Sequence, residues 1–271
     1  MTDHASTSSD RRNQDIGMAG NEEAAKDAVL LVFAKAPAPG DVKTRLAGET
    51  SVLSEKESAR LYAAFLRDAM AQYVSFAASM PYPLAIQLHW SGPLAAASPF
   101  IPADALAQGG TGDAGTHVEV IAQEGEGLGE RMMHAFQQAL RTYQRAFIIG
   151  TDHPTLPDPY IEEAIHVLSE APAICIGPSA DGGYYGLGMN RWTPEVFADM
   201  TYSHAHVFTN TLRRAVQTDA EVTVLPEFYD VDTPDALCRM LVDLRDVKTR
   251  APVTREAVRA LNLYDRLSID R

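Results

Sequence analysis

The sequence is poor in cysteine, lacks long apolar segments and has fewer cationic than acidic residues. Only 2 cysteines occur among 271 residues, Cys175 in an apolar run and Cys238 in a helical pattern, which excludes a disulfide framework and a zinc site. No stretch approaches the roughly 18 uninterrupted apolar residues that a membrane-spanning helix needs. Lys and Arg total 23 against 36 Asp and Glu, and the net charge of -13 would repel a nucleic-acid backbone. We therefore expect neither a membrane span nor a nucleic-acid partner.

The first 27 residues are rich in Ser, Asp, Glu and Asn and lack the apolar stretch of a secretory signal. We interpret residues 1–27 as a disordered tail and residues 28–271 as a single domain, a length that α/β domains often reach. Because the two cysteines are isolated and no signal is seen, we expect a cytoplasmic protein.

Apolar runs alternate with helical patterns along the rest of the chain. The apolar runs predict strands at residues 28–34, 84–90, 117–122, 146–150, 173–177 and 221–225. Helical spacing predicts helices at residues 54–78, 128–144, 160–168, 205–218, 234–245 and 253–267. Ser54 and Glu57 form a capping box at the start of the first helix, and the glycine-rich segment 109–115 predicts a mobile turn. This alternation predicts a three-layer α/β fold, Rossmann-like, with a mostly parallel central sheet.

Four unusual loops follow predicted strands, at residues 35–46, 150–158, 178–186 and 229–234. In open α/β sheets, ligands bind outside the carboxyl ends of the strands. We therefore look for the functional residues in these loops.

The first loop combines glycine with three cations, Lys35, Gly40, Lys43 and Arg45. Cations there suit a polyphosphate, Gly40 permits a close approach of the backbone, and a helix that begins near Lys43 would aim free N–H groups at the anion. The alternative is a surface turn with solvated cations. The loop is not a Walker A motif, because it lacks the adjacent Gly-Lys pair.

Two aspartates follow strands and are candidate ligands of Mg²⁺ bridged to phosphate oxygens, Asp152 and Asp232. The alternative for each is a helix cap or turn, but Asp158 is the better cap for the helix after Asp152. Asp230 and Asp232 alternate along an extended segment, so we expect only one to face the site and choose Asp232. Thr233 and Pro234 are interpreted as the N-cap and first residue of the next helix. His153 is a candidate base, a second ligand or an exposed residue.

The third loop is dense in glycine and could surround a small acceptor through Asp181, Gly182, Gly183 and Tyr184. The alternative is a hairpin turn whose tyrosines, Tyr184 and Tyr185, belong to the core. A further pair, Glu130 and Arg131, begins a helix after Gly127 and Gly129, and either caps that helix or contacts a nucleotide.

Taken in order, five segments resemble a bacterial glycosyltransferase-A-like family related to the phospholactate guanylyltransferases and also described as radical-SAM/selenodomain-associated transferases. The segments are AKAPAPGDVKTRL, LGERM, GTDHPTLP, GPSADGGYYGLGM and DVDTPDAL, and the resemblance covers about residues 28–240. It implies a nucleotide-diphospho-sugar transferase fold that binds a nucleotide at the first loop. Lys43 and Arg45 match the phosphate-holding loop, and Asp152 and Asp232 match acidic metal-side positions. The chain has His153 where the family pattern has Cys.

Two reactions fit this resemblance, and both use a divalent metal, Mg²⁺ or Mn²⁺. The first is nucleotidyl transfer from a nucleoside triphosphate to a small phosphorylated acceptor, with Lys43 and Arg45 neutralising charge. The second is glycosyl transfer from a nucleotide-sugar, with Asp181 or His153 as the base if the reaction inverts. A non-catalytic nucleotide-binding regulator is the third alternative. The nucleotide base, the acceptor and the oligomeric state stay open.

Overall fold

The computed structural model describes residues 26–48, 51–106, 116–169 and 172–269. Seven strands form one sheet in the spatial order β3-β2-β1-β4-β6-β5-β7. Their bounds are β1 Lys26–Lys35, β2 Leu84–Ser91, β3 Val118–Ala122, β4 Tyr143–Ile149, β5 Ala173–Pro178, β6 Tyr184–Met189 and β7 Glu221–Val224. All pairings are parallel except those of β6, which is antiparallel to both β4 and β5.

Seven α-helices connect or follow these strands within the described part of the chain. Their bounds are α1 Glu55–Ser79, α2 Leu128–Ala139, α3 Asp158–Val167, α4 Val207–Ala215, α5 Pro234–Asp243, α6 Pro252–Ala260 and α7 Leu263–Arg266. The capping box predicted for the first helix is confirmed, since the Ser54 side chain accepts from Glu57 N–H while the Glu57 carboxylate accepts from Ser54 N–H.

The helices cover both faces of the sheet because alternate strand residues point to opposite sides. On one face, Leu30 and Val32 of β1 belong to a core that includes side chains of α1, α3, α5 and α6. On the other, Val29 and Leu31 belong to a second core with α2 and α4. The predicted three-layer α/β fold with a mostly parallel sheet is confirmed.

Strands β1 to β5 and β7 all run in the same direction, and only β6 runs in the opposite one. The carboxyl ends of these six strands therefore lie at one edge of the sheet. Residues 36–48, 150–157 and 225–233 leave from this edge, and the turn 179–183 between β5 and β6 lies there too. The topology therefore gathers the four predicted loops.

Three predicted elements need correction. Helix α2 ends at Ala139 and not at residue 144, because the buried Tyr143 already belongs to β4 and pairs with β1. The predicted loop 178–186 ends earlier, because Tyr184–Met189 form β6, from which Tyr185 enters one core and Leu187 and Met189 the other. The last predicted helix is divided into α6 and α7, because Asn262 adopts the left-handed conformation at φ 51°.

Some predictions lie outside the described residues. The predicted turn at 109–115 lies outside them, as does the predicted tail through residue 25, whereas Lys26 and Asp27 begin β1. No helix in the described ranges is long and apolar enough to cross a membrane.

Candidate active site

Lys43 lies at the centre of the carboxyl edge. Its backbone adopts the left-handed conformation, at φ 50° and ψ 38°, directly before a short 3-10 turn at Thr44–Leu46. This conformation is uncommon outside glycine, and such residues cluster at functional sites. The Lys43 side chain is only 2% exposed, so its ammonium group is taken out of water into the protein. The predicted helix near Lys43 is therefore reduced to this short turn.

The Lys43 ammonium bridges the two aspartates that the sequence singles out. Its Nζ atom forms an ion pair with Asp152 Oδ1 and lies 2.7 Å from Asp232 Oδ1. The two aspartate side chains are 42% and 38% exposed, respectively, so each carboxylate faces both the buried cation and solvent. Residues 189 positions apart in sequence thus form one charged cluster.

Backbone contacts hold the two aspartate loops together. Val231 N–H donates to the Asp152 carbonyl at 2.8 Å, which joins the loop after β4 to the segment before α5. The Thr233 side chain accepts from Ala236 N–H at 3.3 Å, and Pro234 begins the helix. The predicted cap is therefore confirmed, and it fixes Asp232 immediately outside the helix.

The charges in this cluster are strongly coupled. Burial alone would lower the pKa of Lys43, but the nearby charges of Asp152 and Asp232 outweigh it and raise this pKa above its ordinary value. The aromatic rings of Tyr62 and Phe65 also face the cation, each with its centroid 5.6 Å from Nζ. Lys43 is therefore a permanent cation at physiological pH.

The Asp230 carboxylate faces the glycine-rich turn, whereas Asp232 shares the Lys43 ammonium with Asp152, as the choice of Asp232 predicts. Asp232 N–H donates to the Asp230 carbonyl at 3.0 Å, and this tight turn removes the side-to-side alternation of an extended segment. The Asp230 carboxylate accepts from Ser179 Oγ at 3.1 Å. Burial, followed by the charge of Asp152, raises the pKa of Asp230 to about 7.

Helix α1 positions the loop that carries Asp152. Tyr73 donates its hydroxyl to the Gly150 carbonyl at 2.7 Å, and Gln72 Nε2 donates to the Leu156 carbonyl at 2.7 Å. Gln72 also donates to Asp158 Oδ1 at 2.7 Å, and the Asp158 side chain makes no cap contact with α3. The cap predicted for Asp158 is therefore wrong, because its carboxylate faces α1 instead.

The remaining residues of the first loop are more exposed than Lys43. Lys35 Nζ donates to the Asp41 carbonyl at 3.1 Å, while Arg45 is exposed on the short turn. Gly40 has a φ of +83°, a conformation that favours glycine over residues with a side chain. Lys35 and Arg45 thus present their charge to solvent, beside the buried cation.

Glu130 and Arg131 both contact the turn that precedes α2. The Glu130 carboxylate accepts from Glu126 N–H at 2.8 Å, and Arg131 Nε donates to the Gly125 carbonyl at 3.0 Å. Both contacts are to the turn before the N-cap Gly127 and not to the first N–H groups of α2, so capping by the pair stays a prediction. Their predicted nucleotide contact stays a prediction.

The glycine-rich turn is covered by a segment that the sequence did not single out. The Asp181 carboxylate accepts from Gly183 N–H at 2.9 Å, and Phe208 N–H donates to the Gly182 carbonyl at 2.9 Å. A Cβ atom on Gly182, whose φ is +90°, would lie 2.1 Å from the Ala205 carbonyl oxygen. Ala205 and Phe208 are therefore close neighbours of the predicted acceptor turn.

The two tyrosines after this turn point to opposite faces of β6. Tyr185 is buried and donates to the Pro226 carbonyl at 3.1 Å, whereas Tyr184 is half-buried with its hydroxyl 3.6 Å from Met132 Sδ. Tyr185 is a core residue, as one alternative predicted. The predicted role of Tyr184 toward an acceptor stays a prediction.

His153 is buried, so its interpretation as an exposed residue is wrong. Only 2% of it is exposed, and its ring packs edge-on against Tyr185 with the centroids 5.8 Å apart. Burial lowers the pKa of His153 to about 4, which leaves the ring neutral at pH 7.

The donor set suits a divalent metal of the Mg²⁺ type. Among the described residues, no group of three or more His, Cys, Asp or Glu side chains forms a dedicated metal cage. Asp152 and Asp232, however, offer partly exposed carboxylates in one cluster. Because Mg²⁺ is commonly bound by one or two carboxylates together with substrate phosphates, these residues fit such a shared site.

Comparison with known proteins finds one family model that matches part of the chain, together with solved structures of similar fold. Residues 90–204 match the model of an uncharacterized protein family conserved in bacteria, DUF2064. A search of curated proteins found no match.

One solved structure shares the fold over most of the chain, and two others match it less closely. A protein from Desulfovibrio desulfuricans G20, assigned to the nucleotide-diphospho-sugar transferases, is 29% identical with a TM-score of 0.70, over 88% of this chain and 98% of that one. A CMP-2-keto-3-deoxy-manno-octonic acid synthetase solved with CTP is 9% identical, with a TM-score of 0.47, over 81% and 99%. Rv0371c of Mycobacterium tuberculosis H37Rv, solved with manganese, is 20% identical, with a TM-score of 0.44, over 80% and 99%. The first of these confirms the nucleotide-diphospho-sugar transferase type of fold.

Proposed function

We propose that this chain is a metal-dependent, nucleotide-using transferase that moves a nucleotidyl group from a nucleoside triphosphate to a small phosphorylated acceptor. The observation that carries the proposal is the buried Lys43 ammonium between Asp152 and Asp232, with exposed Arg45 on the same loop. This arrangement offers cations to phosphate oxygens and carboxylates to a metal.

The side chains divide the work as follows. Asp152 and Asp232 would hold the divalent metal, which would neutralise charge on the phosphate groups. Arg45 and Lys35 bind the outer phosphate oxygens through charge-assisted hydrogen bonds. Lys43 keeps its positive charge because its pKa is raised, and so it opposes charge repulsion between the carboxylates and an incoming polyphosphate. Catalysis then depends on positioning and charge neutralisation, without a covalent intermediate on the protein.

The transferase class is also supported by the protein from Desulfovibrio desulfuricans G20, which is assigned to the nucleotide-diphospho-sugar transferases. The same assignment favours a second candidate, glycosyl transfer from a nucleotide-sugar. The two reactions share the metal and the phosphate contacts, but they release different products. Nucleotidyl transfer releases pyrophosphate, whereas glycosyl transfer from a nucleoside-diphosphate sugar releases a nucleoside diphosphate.

A thermal-shift panel of nucleoside triphosphates and nucleotide-sugars, each with Mg²⁺, with Mn²⁺ and with chelator, tests the proposal. A ligand that binds the native state raises apparent stability by mass action. We expect the melting temperature to rise with a triphosphate plus metal and to rise far less with chelator. Stabilisation by nucleotide-sugars alone would favour glycosyl transfer, and no stabilisation by any nucleotide would contradict the proposal.

Asp219→Asn serves as the matched control for Asp152→Asn in this panel. Asp219 also forms an ion pair, with Arg191, but it precedes the amino end of β7, away from the carboxyl edge. We expect only Asp152→Asn to reduce the metal-dependent shift.

A further inference from the structure

Tyr62 of α1 contacts three parts of the candidate site at once. Its hydroxyl oxygen accepts from Lys35 N–H at 3.2 Å, at the end of β1 where the cationic loop begins. The same oxygen lies 3.1 Å from Thr151 Oγ1, in the residue directly before Asp152. Its ring faces the Lys43 ammonium, with the centroid 5.6 Å from Nζ.

These contacts are buried, so they restrict the relative positions of the two loops. Tyr62 is 4% exposed and Thr151 is 1% exposed, which leaves little access for water to replace the bond between them. Burial, followed by the charge of Asp152, raises the pKa of Tyr62 to about 12, so the hydroxyl keeps its proton. One oxygen atom therefore joins the start of the cationic loop to the loop that carries Asp152.

We infer that Tyr62 is a positioning residue that couples the cationic loop 35–46 to Asp152, so that metal and polyphosphate bind cooperatively. This inference rests on the proposed function, because it assigns the metal to Asp152 and the phosphates to the cationic loop. Tyr62 itself touches neither ligand. It fixes the distance between the two sets of contacts, and two sites held in one geometry strengthen each other's binding.

The substitution Tyr62→Phe removes the joining oxygen and keeps the ring against Lys43. Thr151→Val removes the same hydrogen bond from the other side and leaves Asp152 in place. If the bond carries the coupling, the two substitutions should not be additive, since either alone breaks it. Tyr264→Phe is the matched control, because it too removes a tertiary hydrogen bond of a tyrosine hydroxyl, which donates to the Leu241 carbonyl at 3.0 Å in the C-terminal helices.

The probe is inorganic tripolyphosphate, which carries the phosphate chain without a choice of base. Calorimetric titration of the full chain, with Mg²⁺ and with chelator, gives the ratio of the two dissociation constants for each variant. We expect the wild-type ratio to fall about tenfold in Tyr62→Phe, in Thr151→Val and in the double variant, as outer-shell substitutions lower metal affinity by about 10- to 100-fold. Tyr264→Phe should keep the wild-type ratio.

The outcomes separate the inference from the proposed function. If Tyr62→Phe has the same ratio of dissociation constants as the wild type, the inference is wrong and the proposed function is unaffected. Equal loss of affinity with and without Mg²⁺ also overturns the inference, because a merely structural role would weaken both. A wild-type chain that binds tripolyphosphate without help from the metal, or not at all, contradicts the proposed function and the inference with it. Melting temperatures of all variants confirm that each is folded.

Discussion

Replacing Lys43 with methionine tests whether the buried ammonium holds the two aspartates together. Methionine retains an apolar, flexible side chain of similar length, so it fills the space beside Tyr62 and Phe65 while removing the charge. It can adopt the same left-handed backbone at the same cost as lysine. The substitution therefore removes the two ion pairs and the two cation–π contacts while the apolar packing is kept.

The expected loss is about 2 to 3 kcal/mol in the free energy of unfolding. Breaking a fully buried ion pair by removing one partner typically costs about 3–5 kcal/mol, because the other charge is left without compensation. Here the remaining carboxylates, Asp152 and Asp232, are 42% and 38% exposed, so water can solvate them in part and the loss is smaller. Asp152→Asn in the Lys43→Met background should recover part of the loss, since it removes one of the unpaired charges.

Urea denaturation at pH 7.5 with chelator measures this loss through the shift of the midpoint at constant slope. Lys35→Met is the control, because the Lys35 side chain is exposed and its ammonium donates to the Asp41 carbonyl, whereas its backbone bond to Tyr62 is unaffected by the substitution. We expect it to change stability by less than about 0.5 kcal/mol, as surface substitutions generally do. If Lys43→Met changes the midpoint as little as the control does, the ammonium does not hold the site together.

Three further predictions use other parts of the structure. Arg45→Ala should weaken the binding of a nucleoside triphosphate by about 1.5–3 kcal/mol and leave the binding of the nucleoside unchanged, as measured by calorimetry. Equal losses of affinity for the two ligands would show that Arg45 does not contact phosphate. Burial lowers the pKa of His89 from 6.5 to about 4, so the stability from its neutral ring is present above pH 6.5 and lost as the pH falls through 4. Between pH 7 and pH 4 the wild type should therefore lose about 3 kcal/mol more of its unfolding free energy than His89→Leu does. Equal losses for the two proteins would contradict this reasoning. Gly182→Ala should destabilise the chain by more than about 1 kcal/mol in urea denaturation, because its Cβ would overlap the Ala205 carbonyl. If the variant is as stable as the wild type, the segment around Ala205 can move to make room for the Cβ.

The fold class can be predicted from local patterns in the sequence. Apolar runs and helical spacing locate six strands and the major helices, and the parallel arrangement then places the loops after them at one edge. Strand β6 escapes prediction because Gly186 and Gly188 make it resemble a loop. Both glycines are needed for packing, since a Cβ on Gly186 would overlap Phe147 and a Cβ on Gly188 would overlap Cys175 and Leu168.

The charged centre of the site is only partly predictable. Lys43, Asp152 and Asp232 can be named from their loops, but nothing local shows that one ammonium bridges both carboxylates across the sheet. Tyr62 and Tyr73 are missed because they lie in an apolar helix pattern, where a tyrosine has the same signal as any core aromatic. Their hydroxyl contacts depend on tertiary packing, which periodicity does not encode.

The central claim is that Asp152 and Asp232 bind a divalent metal that a nucleotide shares. The most direct measurement is calorimetric titration of the triphosphate that gives the largest thermal shift, with Mg²⁺ and with chelator, into the wild type and into the Asp152→Asn/Asp232→Asn double variant. We expect tight binding by the wild type only with Mg²⁺, and weak, metal-independent binding by the double variant. Affinity that is unchanged by chelator, or by the double substitution, would contradict it.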